Sequence, residues 1–238
     1  MRPSLSIIIP CYNEAKNIPL LVSRFIEARP AGLMAELVLV DNGSNDGTSL
    51  LLRTIARKQP FVRPVRIRTN TGYGSGVWTG LQAARGEFIG WTHADLQTDV
   101  KDVFTAYSLI SSRHDQRRVF VKGRRQGRPL LDRFFTAGMG VYETLMLGMQ
   151  LSDINAQPNF FHRSFLDICT DPPDDFSFDL YCYALAKIRG YKVVRFSVAF
   201  GERRHGVSHW NNGFADKWKF IKRTMDFTRG LPRRLRQH

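Results

Sequence analysis

The sequence predicts an α/β fold in which helices cover both faces of a central, mainly parallel sheet. Short apolar runs alternate with helical stripes through the first hundred residues, as the strands and crossover helices of a parallel sheet require. Polar or glycine-rich segments follow these runs, where ligands of such sheets bind. The chain has 238 residues, 43% of them apolar, so one domain with a sizeable core is expected.

The first strand and helix are predicted from the residues before and after Pro10. Residues 5–9 form a β-branched run typical of a buried strand. Asn17 can cap a helix that has Pro19 in its first turn. A single apolar stripe at helical spacing then consists of Ile18, Leu21, Val22, Phe25 and Ile26.

Three further strands are predicted from apolar runs at 37–40, 65–68 and 87–91. Turn-forming residues at 41–47 follow the second strand, and a glycine-rich segment at 70–80 follows the third. Helices between these strands are indicated by Leu51, Leu52 and Ile55 after Thr48, and by Val77, Trp78 and Leu81.

The second half of the chain is less regular. Its pattern predicts helices at 100–107, 130–149, 178–188 and 214–225, strands at 119–121 and 192–200, and a basic loop at 122–128. Glycines within 130–149 predict a helix that is weakened or broken in two. We expect one catalytic domain over 1–212, followed by a basic amphipathic helix or tail over 213–238.

The charge of the chain limits its partners. Thirty-five Lys and Arg against 21 Asp and Glu give +14, which implies nucleotide phosphates, nucleic acid or an acidic lipid surface. No nucleic-acid-binding motif is present, so no nucleic-acid partner is predicted.

No apolar run reaches the ~20 residues of a membrane span, and no signal peptide is expected before the first strand. Three widely spaced cysteines predict no disulfide and a reducing compartment.

Four short motifs follow the first four predicted strands in order. They are Pro10-Cys-Tyr-Asn-Glu14, the segment 40–48, Asn70-x-Gly-x-Gly with Gly80, and Asp95-Leu-Gln97. Together they resemble family 2 glycosyltransferases of the nucleotide-sugar-binding GT-A fold, above all the polyprenyl-phosphate sugar transferases of the dolichol-phosphate mannose synthase type. The resemblance extends from Leu5 to about Ser208. It implies an inverting enzyme that moves a sugar from a nucleotide diphosphate to a polyprenyl phosphate.

The resemblance also implies the residues of the nucleotide site. Asp41 would accept a hydrogen bond from the base, and Asn42 replaces the second acid of the family, which keeps an acceptor and removes a charge. The other implied contacts to base, ribose or phosphate are Pro10, Tyr12, Glu14, Asp46, Asn70, Gly72, His93 and Ala94. Turn and helix-cap chemistry is the alternative role for Asp41 and Asp46.

The segment His93-Ala-Asp95 departs from the family, which has Asp-x-Asp holding a divalent cation against the diphosphate. Asp95 can still anchor Mg²⁺ or Mn²⁺, because the diphosphate itself supplies oxygen ligands. His93 would be a second ligand, a nucleotide contact or only part of the site wall. We therefore expect weaker binding of the free cation. The alternative is an enzyme that is partly or wholly independent of metal. Gln97 matches a family glutamine near the sugar or phosphate.

Several basic residues and one acid are implied at the phosphates and the acceptor. Arg124, or its neighbour Arg125, and Arg133 would face the donor and lipid phosphates, and Arg203 and Ser208 belong to an intact Arg-x-x-Gly-x-Ser motif. Solvated surface charge is the alternative for each arginine. Asp153 would orient groups in the acceptor site rather than remove a proton, because a phosphate acceptor is already ionised at neutral pH.

The tail over 213–238 carries eight Lys or Arg and two Asp. Its stripe of Phe214, Trp218, Ile221 and Met225 would pack on the domain or lie in a bilayer interface. The latter places the protein at the cytoplasmic face of a membrane, as a peripheral protein.

Two other functions stay open, transfer to a saccharide acceptor and nucleotide-sugar binding with a degenerate metal motif. The sequence does not define which sugar is transferred or whether the donor carries uridine or guanosine. It does not define the oligomeric state.

Overall fold

The computed structural model describes residues 2–127, 130–201 and 214–236; side chains are described except at 130–135, 214–221, 233 and 235–236. The strands in these ranges are β1 (Leu5–Cys11), β2 (Ala35–Asn42), β3 (Val62–Ile67), β4 (Phe88–Trp91), β5 (Val119–Gln126), β6 (Asn159–His162) and β7 (Lys192–Ala199). The α-helices are α1 (Ile18–Ala28), α2 (Thr48–Lys58), α3 (Tyr73–Ala83), α4 (Lys101–Ser111), α5 (Leu130–Leu147), α6 (Phe178–Ile188) and α7 (Phe214–Arg236). Two short 3-10 helices, Gln116–Arg118 and Arg163–Ile168, complete the set.

The strands form one sheet in the order β3-β2-β1-β4-β6-β5-β7. Strand β6 runs antiparallel to β4 and β5, and the other neighbouring pairs are parallel. The predicted mainly parallel sheet is therefore confirmed. Its carboxyl-end edge contains the ends of β1, β2, β3, β4, β5 and β7 together with the beginning of β6.

Successive residues of β1 enter two different cores. Ile7 packs in a cluster with Phe25 of α1, whereas Ile8 packs in a cluster with Val77 of α3 and Leu231 of α7. Each of these side chains is at most 1% exposed, and full burial of an aliphatic or aromatic side chain contributes about 1.5–3 kcal/mol. The alternation of strand side chains between two faces confirms the prediction that helices cover both sides of the sheet.

Several strands differ from the sequence-based expectation. Strand β3 begins at Val62 and includes Pro64, which an edge strand tolerates because one side of its backbone needs no partner. Strand β6 was not predicted, because its four residues, Asn159-Phe-Phe-His162, contain only two apolar side chains and no β-branched residue. Residues 122–126, expected in a loop, continue β5 because they pair with β7 up to Ala199.

Helix α5 is continuous from Leu130 to Leu147, so its glycines do not break it. Gly140 lies where the helix approaches the following loop, and a Cβ there would stand 3.1 Å from the carbonyl oxygen of Leu151. The glycine thus permits close packing of α5 on that loop.

The contact between α5 and α7 encloses a carboxyl group. Glu143 of α5 is fully buried, and its Oε2 accepts a hydrogen bond of 2.6 Å from Thr228 Oγ1 of α7. No described group donates to Oε1. Burial raises the pKa of Glu143 from 4.5 to about 7, opposed by the Thr228 hydrogen bond.

Replacing Glu143 with glutamine should therefore stabilise the protein only at higher pH. The pKa of Glu143 is higher in the folded state than in the unfolded state. The stability that the protonated Glu143 contributes is therefore fully present below about pH 4.5 and is lost as the pH rises through about 7. We expect Glu143→Gln to raise the free energy of unfolding at pH 8 by about 1–2 kcal/mol, a few degrees in Tm. At pH 5 the two proteins should differ much less. Thermal unfolding at both pH values tests this, and an equal Tm difference at both contradicts it.

Candidate active site

The loops after β1 and β2 are joined at the carboxyl-end edge. Asn13 has a left-handed backbone (φ 57°), which asparagine tolerates better than most residues. Its backbone N donates to Ser44 Oγ at 3.0 Å, and its Oδ1 accepts from the backbone N of Asn45 at 3.0 Å. These reciprocal bonds make the two loops one rigid wall of the site.

Asp41 presents a carboxylate at the end of β2. The residue is 1% exposed, and its Oδ1 accepts a hydrogen bond of 2.9 Å from the backbone N of Ser44. Its Oδ2 has no hydrogen-bond donor among the described residues, and Arg66 Nε stands 3.8 Å away. A buried acceptor without a donor is costly, so Asp41 is suited to accept a hydrogen bond from a ligand.

Asn42 connects β2 to the glycine-rich segment. Its Nδ2 donates to the carbonyl oxygen of Gly72 at 2.7 Å and lies 3.4 Å from Asn70 Oδ1, which also accepts from the backbone N of Gly72 at 2.9 Å. Pro10 packs against the same segment, since a Cβ on Gly76 would stand 3.3 Å from the Pro10 Cβ and 3.2 Å from Asn42 Nδ2. The structure thus brings the predicted residues Pro10, Asn42, Asn70 and Gly72 together.

Asp46 and Glu14 are occupied by bonds within the two joined loops after β1 and β2. Asp46 accepts from the backbone N of Ala15 at 3.1 Å, and from the backbone N and the Oγ1 of Thr48 at 3.0 and 2.6 Å. Burial opposes these bonds, but they hold the pKa of Asp46 below its usual value. Glu14 Oε2 accepts from Asn17 Nδ2 at 2.6 Å. Both acids shape the loops, whereas the neighbouring Tyr12 is 39% exposed at the surface of the site.

The loop after β4 places the residues of the metal motif at the same edge. Asp95 is 5% exposed, and its Oδ1 accepts from the backbone N of Gln97 at 3.1 Å. Ala94 is buried beside it, while the half-buried His93 has its ring centroid 6.4 Å from that of Tyr73. Gln97 is tied to the end of β7, because its Nε2 donates to Gly201 O at 3.2 Å and its carbonyl accepts from Gly201 N at 2.8 Å.

A metal ion would need further ligands at this loop. Within the described parts of the chain, no three His, Cys, Asp or Glu side chains are grouped closely enough to hold one. Asp95 and His93 supply one carboxylate and one imidazole, so this donor set fits Mg²⁺ or Mn²⁺ only when a diphosphate completes the coordination.

A buried polar network lies beneath the site. Lys122 Nζ donates to Asn159 Oδ1 at 2.9 Å and to Ala156 O at 2.8 Å, and Asn159 Nδ2 donates to Asp179 Oδ1 at 2.9 Å. Trp91 Nε1 also donates to Asp179, at 3.2 Å. Burial lowers the pKa of Lys122 to about 7 and raises the pKa of Asp179. The charge of Asp179 opposes the first shift, and the charge of Lys122 opposes the second. The network joins β4, β5, β6 and α6 directly behind the loop that carries Asp95.

Asp153 is bound to Arg125. The guanidinium contacts Asp153 Oδ1 through both Nε, at 2.8 Å, and Nη2, and the backbone N of Arg125 donates to Oδ2 at 2.7 Å. Burial opposes ionisation, but Arg125 holds the pKa of Asp153 below its usual value. Such a carboxylate is a poor proton acceptor, and the orienting role of Asp153 in the acceptor site stays a prediction.

A cleft of about 510 Å³ opens beside this ion pair, between the end of β5, helix α5 and the loop that contains Asp153. Arg124, an exposed cation, lies on it next to the paired Arg125. The opposite wall is apolar and includes Val141 and Leu145, which are 60% and 77% exposed. The cleft therefore combines a cation with an apolar surface open to the outside.

The side chains of three residues that were predicted to contact phosphate are not described by the structure. Arg203 and Ser208 lie outside the described residues, and Arg133 belongs to α5 at a position whose side chain is not described.

Sequence reasoning missed the buried network and the ring of Tyr73. Lys122 carried a signal, because a lysine directly after the apolar run 119–121 is rare in a strand core. No local sequence signal marks Tyr73, Asn159 or Gln157. Their contacts join distant parts of the chain, since Gln157 Nε2 donates to Tyr73 Oη across 84 positions of sequence.

Known proteins are similar to this chain in sequence and in fold. The family model described as glycosyl transferase family 2 matches residues 6–165, about two thirds of the chain. An undecaprenyl-phosphate 4-deoxy-4-formamido-L-arabinose transferase of Pectobacterium atrosepticum is 34% identical over 115 residues, which are 47% of this chain and 35% of the relative. A dodecaprenyl-phosphate galacturonate synthase of Rhizobium johnstonii is 33% identical over 111 residues, 46% of this chain and 33% of the relative. The matched regions thus span about a third of these curated relatives.

Solved structures confirm the fold. Glucosyl-3-phosphoglycerate synthase from Mycobacterium tuberculosis, in complex with Mn²⁺, UDP-glucose and phosphoglyceric acid, superposes with a TM-score of 0.70 at 18% identity. The superposition covers 97% of this chain and 81% of that one. The GT-A fold expected from the motifs is therefore confirmed. Among the described helices, none has the length and apolar character needed to cross a bilayer.

Proposed function

Because the chain belongs to glycosyl transferase family 2, we propose that it transfers a sugar, with inversion, from a nucleotide diphosphate to the phosphate of a polyprenyl phosphate. The observation that carries this proposal is the position of the cleft with Arg124 and an apolar wall. It opens at the same edge of the sheet as Asp41 and Asp95. The two curated relatives described above are named for polyprenyl-phosphate substrates or products.

On the donor side, Asp41 accepts a hydrogen bond from the base through Oδ2, which has no hydrogen-bond donor among the described residues. Tyr12 lies beside the base, and Asn42 with Asn70 and Gly72 brings backbone close to the nucleotide. Pro10, Glu14, Asp46 and Ala94 shape these contacts from the surrounding loops.

Asp95, with His93 beside it, would hold a divalent cation, Mg²⁺ or Mn²⁺. Such a cation would supply positive charge toward the departing diphosphate. Gln97 lies near the sugar or its phosphate, braced by Gly201, and Arg203 adds positive charge to the diphosphate.

The transfer is a single displacement. An oxygen of the acceptor phosphate attacks the anomeric carbon from the face opposite the nucleotide, and the bond from that carbon to the diphosphate oxygen breaks. The electron pair leaves with the nucleoside diphosphate. Because the acceptor is already ionised, no general base is needed, and no covalent sugar–enzyme intermediate forms.

On the acceptor side, Arg124 binds the lipid phosphate, assisted by Arg133 and Ser208, and the exposed side chains of Val141 and Leu145 contact the isoprenoid chain. Asp153 keeps Arg125 in place at the rim. Removal of an apolar chain from water favours this contact by about 25 cal/mol per Å².

The same face is suited to a membrane surface. Met146 of α5, 44% exposed, extends the apolar wall, and the basic segment 213–238 adds cations that attract anionic headgroups. We propose that 1–212 carries the catalysis and that 213–238 supports peripheral association with the cytoplasmic face of a membrane.

Two assays test the proposed function. Thermal shift with UDP, GDP, CDP and dTDP, each with Mg²⁺, Mn²⁺ or chelator, should show stabilisation by one nucleotide. With the corresponding nucleotide sugar, label should pass to polyprenyl phosphate, and Arg124→Ala should raise the KM for that acceptor about tenfold or more while nucleotide binding is kept. Arg113→Ala is the matched control, since Arg113 pairs only locally with Asp115.

The outcomes separate the proposed function from its alternatives. Transfer to an oligosaccharide but not to polyprenyl phosphate would indicate a saccharide polymerase. Nucleotide binding without transfer, with activity appearing in His93→Asp, would indicate a binding protein with a degenerate metal motif. Absence of nucleotide binding would reject the proposed function.

A further inference from the structure

The glycine-rich segment at the donor site is covered by an acidic loop that precedes α6. This loop, residues 171–176, has the sequence Asp-Pro-Pro-Asp-Asp-Phe. The backbone N of Ser75 donates to Asp174 O at 3.0 Å. A Cβ on Gly72 would stand 2.3 Å from Asp174 O, and one on Gly74 would stand 2.2 Å from the carbonyl of Pro173. The two backbones touch, so a shift of the acidic loop displaces the glycine-rich segment.

A row of rings extends this contact to the metal motif. Phe176 stacks on Tyr73 with a centroid distance of 4.9 Å and an interplanar angle of 9°. Tyr73 in turn lies 6.4 Å from the ring of His93 and accepts a hydrogen bond from Gln157. The ring of Phe176 therefore fixes the position of Tyr73, which forms the wall beside His93.

Helix α7 holds both ends of the acidic loop. Arg223 Nε is 3.0 Å from Asp175 Oδ2, and its guanidinium lies 5.9 Å from the centroid of Phe176. Arg234 Nη1 is 3.0 Å from Asp171 Oδ2. The helix itself is fixed by Leu231, which is fully buried, and by Thr228 through its bond to Glu143. The arginines thus extend from a packed helix to the loop.

We propose that α7 is a positioning element of the donor site, with Arg223 and Phe176 as positioning residues that act through Tyr73 and the glycine-rich segment. The inference rests on the proposed function and adds to it a role for the basic C-terminal helix beyond membrane association. Neither residue touches the reacting atoms. Their effect is to keep Tyr73 and Gly72 in the geometry that receives the nucleotide.

The physical expectation is a moderate change in donor affinity. Exposed ion pairs and cation–π contacts are weak individually, but here they act on a loop in backbone contact with the ligand site. We expect Arg223→Ala and Phe176→Ala to weaken binding of the preferred nucleoside diphosphate about three- to tenfold. The KM for the donor should rise by the same factor, with kcat changed less than twofold.

The experiment is isothermal titration of the full chain with UDP and with GDP, in the presence of Mn²⁺, followed by donor kinetics. Arg229→Ala is the matched control, because Arg229 lies on the same helix and pairs at 3.1 Å with Asp226 of that helix. Phe176→Tyr keeps the ring and should bind like the wild type. The charge exchange Arg223→Asp with Asp175→Arg should recover most of the affinity that Arg223→Ala loses.

Amide hydrogen exchange gives a readout without ligand. Exchange at 72–76 should be faster in Arg223→Ala than in Arg229→Ala, with equal Tm within about 2 °C. If the wild type binds nucleotide and the Arg223 and Phe176 variants match Arg229→Ala in affinity and exchange, the positioning role is wrong while the proposed function stands. If the wild type binds no nucleotide, both are rejected.

Discussion

Asp95→Asn should reduce the rate of sugar transfer by about two to three orders of magnitude. Asp95 is the one carboxylate of the segment 93–97, and the diphosphate that leaves the sugar carries charge that a bound cation and its ligand must offset. Removal of a single group that stabilises such charge typically costs about 10²–10³ in kcat. The variant keeps the hydrogen-bond acceptor for the backbone N of Gln97, so the loop should retain its shape. Steady-state transfer of labelled sugar measures the effect.

Asp99→Asn is the matched control for this substitution. Asp99 is an exposed acid four positions along the same loop, and its Oδ1 accepts from the backbone N of Lys101 at 2.9 Å. It should have wild-type activity. Asp95→Asn should also lose most of the dependence of nucleotide affinity on Mn²⁺. Equal activity of the two variants, with the metal dependence unchanged, would mean that Asp95 does not hold the cation.

Lys122→Met should have the largest effect on stability. Lys122 is fully buried and donates to Asn159 and to the carbonyl of Ala156. Its removal takes the Lys122 donor from Asn159 Oδ1, leaves Ala156 O with only the 3.4 Å hydrogen bond from Asn159 Nδ2, and leaves Asp179 without its nearby cation. Breaking a buried charge pair costs about 3 kcal/mol or more, which corresponds to a fall in Tm of roughly 6–12 °C for a chain of this size. Calorimetry or thermal unfolding followed by circular dichroism measures it.

The double variant Lys122→Met with Asp179→Asn distinguishes the loss of charge compensation from a loss of packing. Removing both charges leaves no uncompensated ion in the core, so the double variant should regain at least half of the lost Tm. If it is less stable than Lys122→Met alone, methionine fails for steric reasons and the compensating role of Lys122 is wrong.

The sequence predicted the sheet and the order of its loops because these depend on local patterns. Residues 5–9 and 37–40 are apolar at nearly every position, which is what a strand buried on both faces requires. The turn-forming cluster that begins at Asp41 and the glycines from Gly72 mark where such strands end. The family resemblance, built from the same segments, is confirmed by the family model. Local pattern did not predict β6, whose four residues pair with strands distant in sequence.

For the candidate site, the sequence supplied the residue types and the structure decided their surroundings. Asp46 and Asp41 look alike in a turn-forming segment, yet only Asp41 has a buried oxygen without a hydrogen-bond donor among the described residues. For Asp153 the sequence implied an orienting role, and only the structure shows that Arg125 binds both of its oxygens.

The amino-acid order by itself determined the fold class, the family and the edge of the sheet where polar side chains collect, because hydrophobic periodicity and turn chemistry act over a few neighbouring residues. Only the tertiary structure decided which charges are paired, which are buried and which elements touch. Lys122 meets Asn159, and Arg223 meets Asp175, across 37 and 48 positions of chain. Contacts of that kind depend on packing of the whole domain, for which a single sequence has no local signal.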